Sequence, residues 1–180
     1  MNNKKDYYLP FLLTAIVVIV DQVTKILVVK YMSVNEVIPV IGDLVNLRFV
    51  YNTGAAFSLG AGFGEIARKI LLVFLPFLLL IALTVAYLKS VELTKAQRWF
   101  ICGILGGGFG NLIDRFFRSE GVVDFIDIKF FGILGMERWP TFNAADSFIV
   151  CCGIGLGINL ILQGINQKKR TRQLNRSFLC

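Results

Sequence analysis

The chain has 180 residues, 56% of them hydrophobic, and a mean hydropathy of +0.67; a soluble domain carries about 45–50% apolar residues, so the excess calls for a lipid environment. A net charge of +7 and a pI near 9.4 would suit nucleic acid, but the basic residues gather beside apolar stretches, where they meet anionic headgroups instead. Histidine is absent, which excludes Ser-His and Cys-His nucleophilic schemes, His-ligated zinc and imidazole proton transfer.

Four stretches are apolar enough to suggest membrane helices, which need about 20 residues: 9–29, 70–88, 99–113 and 147–165. The third is short and rich in glycine. The first follows Lys4 and Lys5 as a secretory signal would, but it carries Asp21 and Lys25 and lacks a small-residue cleavage site, so it reads as a retained span. Residues 1–10, 89–98 and 166–180 hold ten Lys or Arg against Asp6 and Glu92, a net of +8, while the remainder nets −1. The positive-inside bias then puts both termini and the basic tail 166–180 in the cytoplasm.

Between the first two spans, Leu47, Phe49 and Tyr51 alternate with Asn46, Arg48 and Asn52 after a Gly42-Asp43 turn signal, which is strand periodicity. The Val37-Ile38-Pro39-Val40-Ile41 run is its expected partner, with Pro39 marking an edge. Residues 116–141 mix Phe116, Phe117, Phe125, Phe130, Phe131 and Trp139 with charges, a composition suited to the headgroup layer. No repeat and no domain boundary is visible. The expected architecture is one membrane-embedded α-helical domain over 1–180, with four transmembrane helices, a small extracytoplasmic β-sheet and an interfacial amphipathic loop or helix.

Charged residues inside spans cost about 2.5–3.5 kcal/mol each on insertion scales and are functional candidates by default. Asp21 and Lys25 share a helix face, as residues four apart do, and read equally as a site pair or a plain interfacial ion pair. Asn52 and Gly54 sit where small residues would let a peptide backbone approach closely, and read equally as a site element or a plain external turn. Gly106-Gly107-Gly108-Phe109-Gly110-Asn111 offers close helix contact, and Asn111, Asp114 and Arg115 supply polar groups where the third span ends. Asp124 and Asp146 are each set among apolar neighbours near the same outer interface. Two carboxylates brought together share a proton, so one can activate a water while the other protonates the scissile carbonyl. Read without that pairing, Asp146 is a helix cap and Asp124 a loop charge. Cys102, Cys151, Cys152 and Cys180 have neither metal-ligand nor disulfide spacing, and no cofactor or metal is expected.

In order, Asp21-Gln22-Val23-Thr24-Lys25, Asn52-Thr53-Gly54-Ala55-Ala56-Phe57-Ser58, Gly110-Asn111-Leu112-Ile113-Asp114-Arg115, Val122-Val123-Asp124-Phe125-Ile126-Asp127 and Phe142-Asn143-Ala144-Ala145-Asp146-Ser147 resemble the signature blocks of lipoprotein signal peptidase, the signal peptidase II family. The resemblance implies a catalytic dyad of Asp124 and Asp146, with Asp21, Lys25, Asn52, Gly54, Asn111, Asp114, Arg115, Asn143 and Ala145 lining or supporting the site. It implies a bacterial inner-membrane enzyme whose substrate is a prolipoprotein bearing a diacylglyceryl cysteine, cut on the amino side of that cysteine. No obligate protein partner and no nucleic acid is implied; membrane lipid is. The segment 128–141 is longer than the family pattern suggests. The sheet and the aromatic loop would clamp the substrate, a role that Phe130 and Phe131 would carry. A small ion- or proton-coupled transporter would also explain Asp21, Lys25 and Asp114, and a non-catalytic scaffold would need none of these acids; against transport, the acids cluster at one level instead of forming a path to the midplane.

Overall fold

The computed structural model describes residues 4–54 and 64–177. A short helix α1 (Lys4–Tyr8) leads through Pro10 into α2 (Phe11–Tyr31), and a hairpin of β1 (Val37–Ile41) and β2 (Val45–Asn52) follows. Helix α3 (Glu65–Lys69) runs through a π-helical turn (Ile70–Phe74) into α4 (Leu75–Lys89). Pro76 explains that turn: its missing N–H and its ring disturb the ordinary ladder, and Leu75 N–H donates instead to the Ile70 carbonyl five residues back. Then come α5 (Lys95–Phe117), β3 (Val122–Ile128), a 3₁₀ turn (Ile133–Gly135) and the long α6 (Ala144–Ser177).

Helix α5 begins at a capping box, where Gln97 N donates to Thr94 Oγ1 and Thr94 N to Gln97 Oε1. It packs against α2, α4 and α6, and Leu80, Tyr87, Ile101, Cys102, Leu105 and Leu112 form the core around it. Small residues allow the approach. A Cβ at Gly110 would lie 2.6 Å from Asp21 Oδ2, and one at Gly107 would run into the Ala145 carbonyl. Three helices are long and apolar enough to cross a membrane: Asp6–Tyr31, Ile70–Lys89 and Ala144–Lys168. The expected third span, 99–113, lies within α5 but is not among them. Enclosed by its neighbours, α5 presents glycine and buried polar groups where the outer helices present Leu and Ile to lipid.

The sheet has the order β1-β2-β3, antiparallel throughout. The expected hairpin is present, with Val37 opposite Arg48 and a bulge just after Pro39 on the outer strand. Strand β3 corrects the reading of 116–141 as one interfacial loop. The β-branched Val122, Val123, Ile126 and Ile128 pair with β2, so Asp124 stands opposite Val50 and Asn52 opposite Val122. The aromatic content of the flanking residues hid this strand. Phe49, Val123 and Phe125 seal the sheet onto Val28 of α2. Beyond β3, Phe130 packs edge-on against Trp139, their ring centroids 5.0 Å apart, while Phe131, Ile133 and Leu134 project outward. Residues 55–58 of the Asn52–Ser58 block, and Cys180, lie outside the described residues.

Candidate active site

The two acids come from different elements and meet over one asparagine. Strand β3 delivers Asp124, which is 2% exposed, and the first turn of α6 delivers Asp146. Asn143 caps α6 in a reciprocal box: Asp146 N donates to Asn143 Oδ1 at 3.0 Å and Asn143 N to Asp146 Oδ2 at 3.2 Å, the pattern that satisfies free N–H groups at a helix start. The same residue turns its amide Nδ2 to Asp124 Oδ1 at 2.8 Å. The segment before α6 is held to β3 by the N–H groups of Phe125 and Ile126, both donating to the Phe142 carbonyl. Asn52 at the end of β2 donates to the other oxygen, Asp124 Oδ2, at 3.0 Å, and Gly54 N–H donates to Asn52 Oδ1, fixing that amide's direction.

Asn111 completes the frame from α5. Its Nδ2 donates to Asp146 Oδ1 at 2.7 Å, while its Oδ1 accepts from Lys25 Nζ at 3.0 Å and Asn143 Nδ2 at 2.9 Å. An ammonium group can only donate, so Lys25 holds the Asn111 carbonyl toward itself and thereby aims the NH₂ at Asp146. The Lys25 ammonium has three partners and is fully buried: Asn111, Asp21 Oδ2 at 2.8 Å and Asp114 Oδ2 at 3.0 Å. Asp21 accepts in turn from Ala145 N–H, and Asp114 from Val123 N–H, next to Asp124. One salt-bridged cluster thus anchors the start of α6 and the start of β3 together.

Burial dominates the electrostatics of Asp124. Loss of hydration, reinforced by the nearby Asp146 charge, pushes its carboxyl up to about 7, against the opposing hydrogen bonds from Asn52 and Asn143. A carboxyl so placed can hold a proton at neutral pH beside a second carboxylate, the division of labour that acid–base hydrolysis needs. Arg115 feels the charges of Asp146, Asp124 and Asp114 but hydrogen-bonds to none of the described residues. It lines a cavity of about 140 Å³ that opens beside Asn52. Among the described residues no group of three or more Cys, Asp or Glu side chains is placed to hold a metal ion.

The model of the family described as signal peptidase (SPase) II matches residues 13–162. The chain belongs to the signal peptidase II family. It is 95% identical over 169 residues to the lipoprotein signal peptidase of Treponema denticola, covering 94% of this chain and 98% of that one. To the lipoprotein signal peptidase of Treponema pallidum it is 44% identical, over 89% and 87% of the two chains. A solved bacterial membrane enzyme superposes with a TM-score of 0.75 at 30% identity, covering 87% of this chain and 90% of that one. The chain is accordingly a bacterial membrane hydrolase with lipoprotein signal peptidase activity of the aspartic type, and transport finds no support.

Of the signal peptidase II residues expected from sequence, Asp21, Lys25, Asn52, Gly54, Asn111, Asp114, Asp124, Asn143, Ala145 and Asp146 form one hydrogen-bonded network. Arg115 stands beside it. Asp21 and Lys25 are no interfacial ion pair, since both are fully buried. Two members went unrecognised. Gln22 Nε2 reaches Asp21, the Gly110 carbonyl and Asp114, and Arg118 Nε reaches Asp114 Oδ1 at 3.1 Å. A carboxamide inside an apolar stretch was a legible signal for the first, and the four-residue step from Asp114 for the second.

Proposed function

We propose that Asp124 and Asp146 are the catalytic dyad, and that the enzyme hydrolyses the peptide bond on the amino side of a diacylglyceryl-modified cysteine in prolipoproteins. The observation that carries this reading is the single Asn143 side chain and backbone spanning both carboxylates. In the mechanism, Asp124 holds the shared proton and Asp146, ionised, takes a proton from a water lodged between them. The water oxygen attacks the scissile carbonyl carbon while Asp124 protonates its oxygen. Collapse of the tetrahedral species breaks the C–N bond and sends a proton to the cysteine nitrogen. Asn52, Asn111 and Asn143 keep the acids oriented, and Arg115 with Gly54 faces the substrate backbone. We read the whole chain as one domain with four crossings, α5 included, both termini cytoplasmic and the dyad at the outer face. Signal helix and acyl chains enter from lipid, the exposed Phe131, Ile133 and Leu134 rest in the headgroup layer, and no obligate protein partner takes part.

The test is cleavage of a synthetic diacylglyceryl prolipoprotein by purified wild type, Asp124→Asn and Asp146→Asn. Each substitution keeps the shape and removes the proton chemistry, and each is expected to lower kcat/KM by about 10³-fold or more. If both folded variants still cut, the acids are misassigned.

A further inference from the structure

The cavity beside Asn52 is not walled by the carboxylates. Among the described residues its lining includes three basic ones, Lys69, Arg115 and Arg118, and no Asp or Glu, with Leu72 and Val73 forming an apolar side. Arg118 uses Nε on Asp114, and its terminal nitrogens have no hydrogen-bond partner among the described residues; neither has the Arg115 guanidinium. Two guanidinium groups with donors to spare suit a planar carboxylate, which they bind through paired N–H groups, and an apolar wall strengthens that attraction by lowering the local dielectric. Asn52 lines the cavity and also donates to Asp124, so an occupant lies one side chain away from the proposed dyad.

We propose that this cavity receives an acidic side chain of the substrate, from one of the residues that follow the modified cysteine, and that it makes the enzyme favour precursors with an acidic start to the mature sequence. The inference rests on the peptidase reading above. The signal half of the substrate lies in lipid, where an ionised acid would cost about 2.5–3.5 kcal/mol, so the aqueous half is the source. Without the basic wall, such a substrate would be repelled by the charge of Asp146; with it, the acid is held to one side of the reacting bond.

Two synthetic diacylglyceryl precursors decide it, identical except for Glu-Glu or Gln-Gln directly after the cysteine. The expected ratio of kcat/KM, Glu over Gln, is roughly fivefold to tenfold in wild type, and close to unity in Lys69→Gln and Arg118→Gln. Each variant is scored on its own ratio, so any loss of folded enzyme cancels. Arg118→Lys is expected to keep part of the preference, since it keeps the charge without the fork. Equal rates on both peptides in wild type would overturn the proposal alone, whereas cleavage of neither would strike at the peptidase reading. A ratio indifferent to both substitutions, with activity that instead follows replacement of phosphatidylglycerol by phosphatidylcholine, would assign the cavity to a lipid phosphate and overturn it too.

Discussion

Two clusters in this molecule use the same few side chains to opposite ends. At the centre, Lys25 is closed in by Asp21, Asp114 and Asn111 with no solvent access to any of the three charges. On the outer rim, Lys129 and Arg138 join Asp43 of the hairpin turn, Glu137 and Asp127. In the rim cluster Asp43 is held below the usual carboxylate range by the Lys129 hydrogen bond, yet 66% of its side chain is open to water. Water and salt screen the pairs that Asp43 and Glu137 make, so those contribute little, while Asp127 is buried beneath Arg138. The central cluster has no such screening, and its charges are solvated by one another, Gln22, Arg118 and the Val123 and Ala145 N–H groups. Its value lies in the orientation it imposes on Asn111 and Val123, because a buried ion pair is weak evidence for stability in itself.

Breaking the central cluster should have the largest effect. Lys25→Met leaves the buried Asp21 with no cation and Asp114 with Arg118 alone, and a loss of about 3–5 kcal/mol is expected, read as a lowered midpoint of unfolding in detergent together with loss of cleavage. A protein that melts normally would place the cluster's charges in water after all. Next comes the pH dependence of Asp124. Its folded pKa, about 7, lies above the ordinary 3.8, so the stability at issue is fully present below pH 4 and lost as pH rises through 7. Asp124→Asn should therefore be more stable than wild type at pH 8, by up to about 4 kcal/mol, with the gap closing toward pH 4. An unchanged gap would mean that burial does not control this acid. The smallest effect belongs to the rim: Asp43→Asn should move the melting temperature by no more than about 2 °C, and less still in high salt. A larger shift would erase the distinction between the clusters.

What the amino-acid pattern disclosed follows the same division. Hydropathy located the helices at the surface of the bundle, because lipid selects Leu, Ile and Val there, and it under-reported α5, whose neighbours are protein. Alternation revealed β2, and the apolar run before the Gly42-Asp43 turn revealed β1 as its partner. Neither signal found β3, whose burial on both faces removes the alternation. The acids were legible as acids in apolar company, whereas Arg118 offered only a four-residue step from Asp114, a weaker signal because the expected span ended before it. Asn111 and Asn143 were legible through resemblance; their directions, with Lys25 choosing one amide's orientation, are set only by the fold.

Asn143 also bears on when the enzyme comes into being. The proposed acids stand on the last strand and the last helix, and the asparagine between them is the cap that starts that helix. The supporting groups reach back to Asp21 in the first long helix, so α2, β2, α5 and β3 all contribute before the pair is complete. On that assignment, a chain still being threaded into the membrane carries the supporting groups and Asp124 but not Asp146. If the pair is the dyad, competence waits for α6, and a copy lacking that helix cannot cut a precursor inserting beside it.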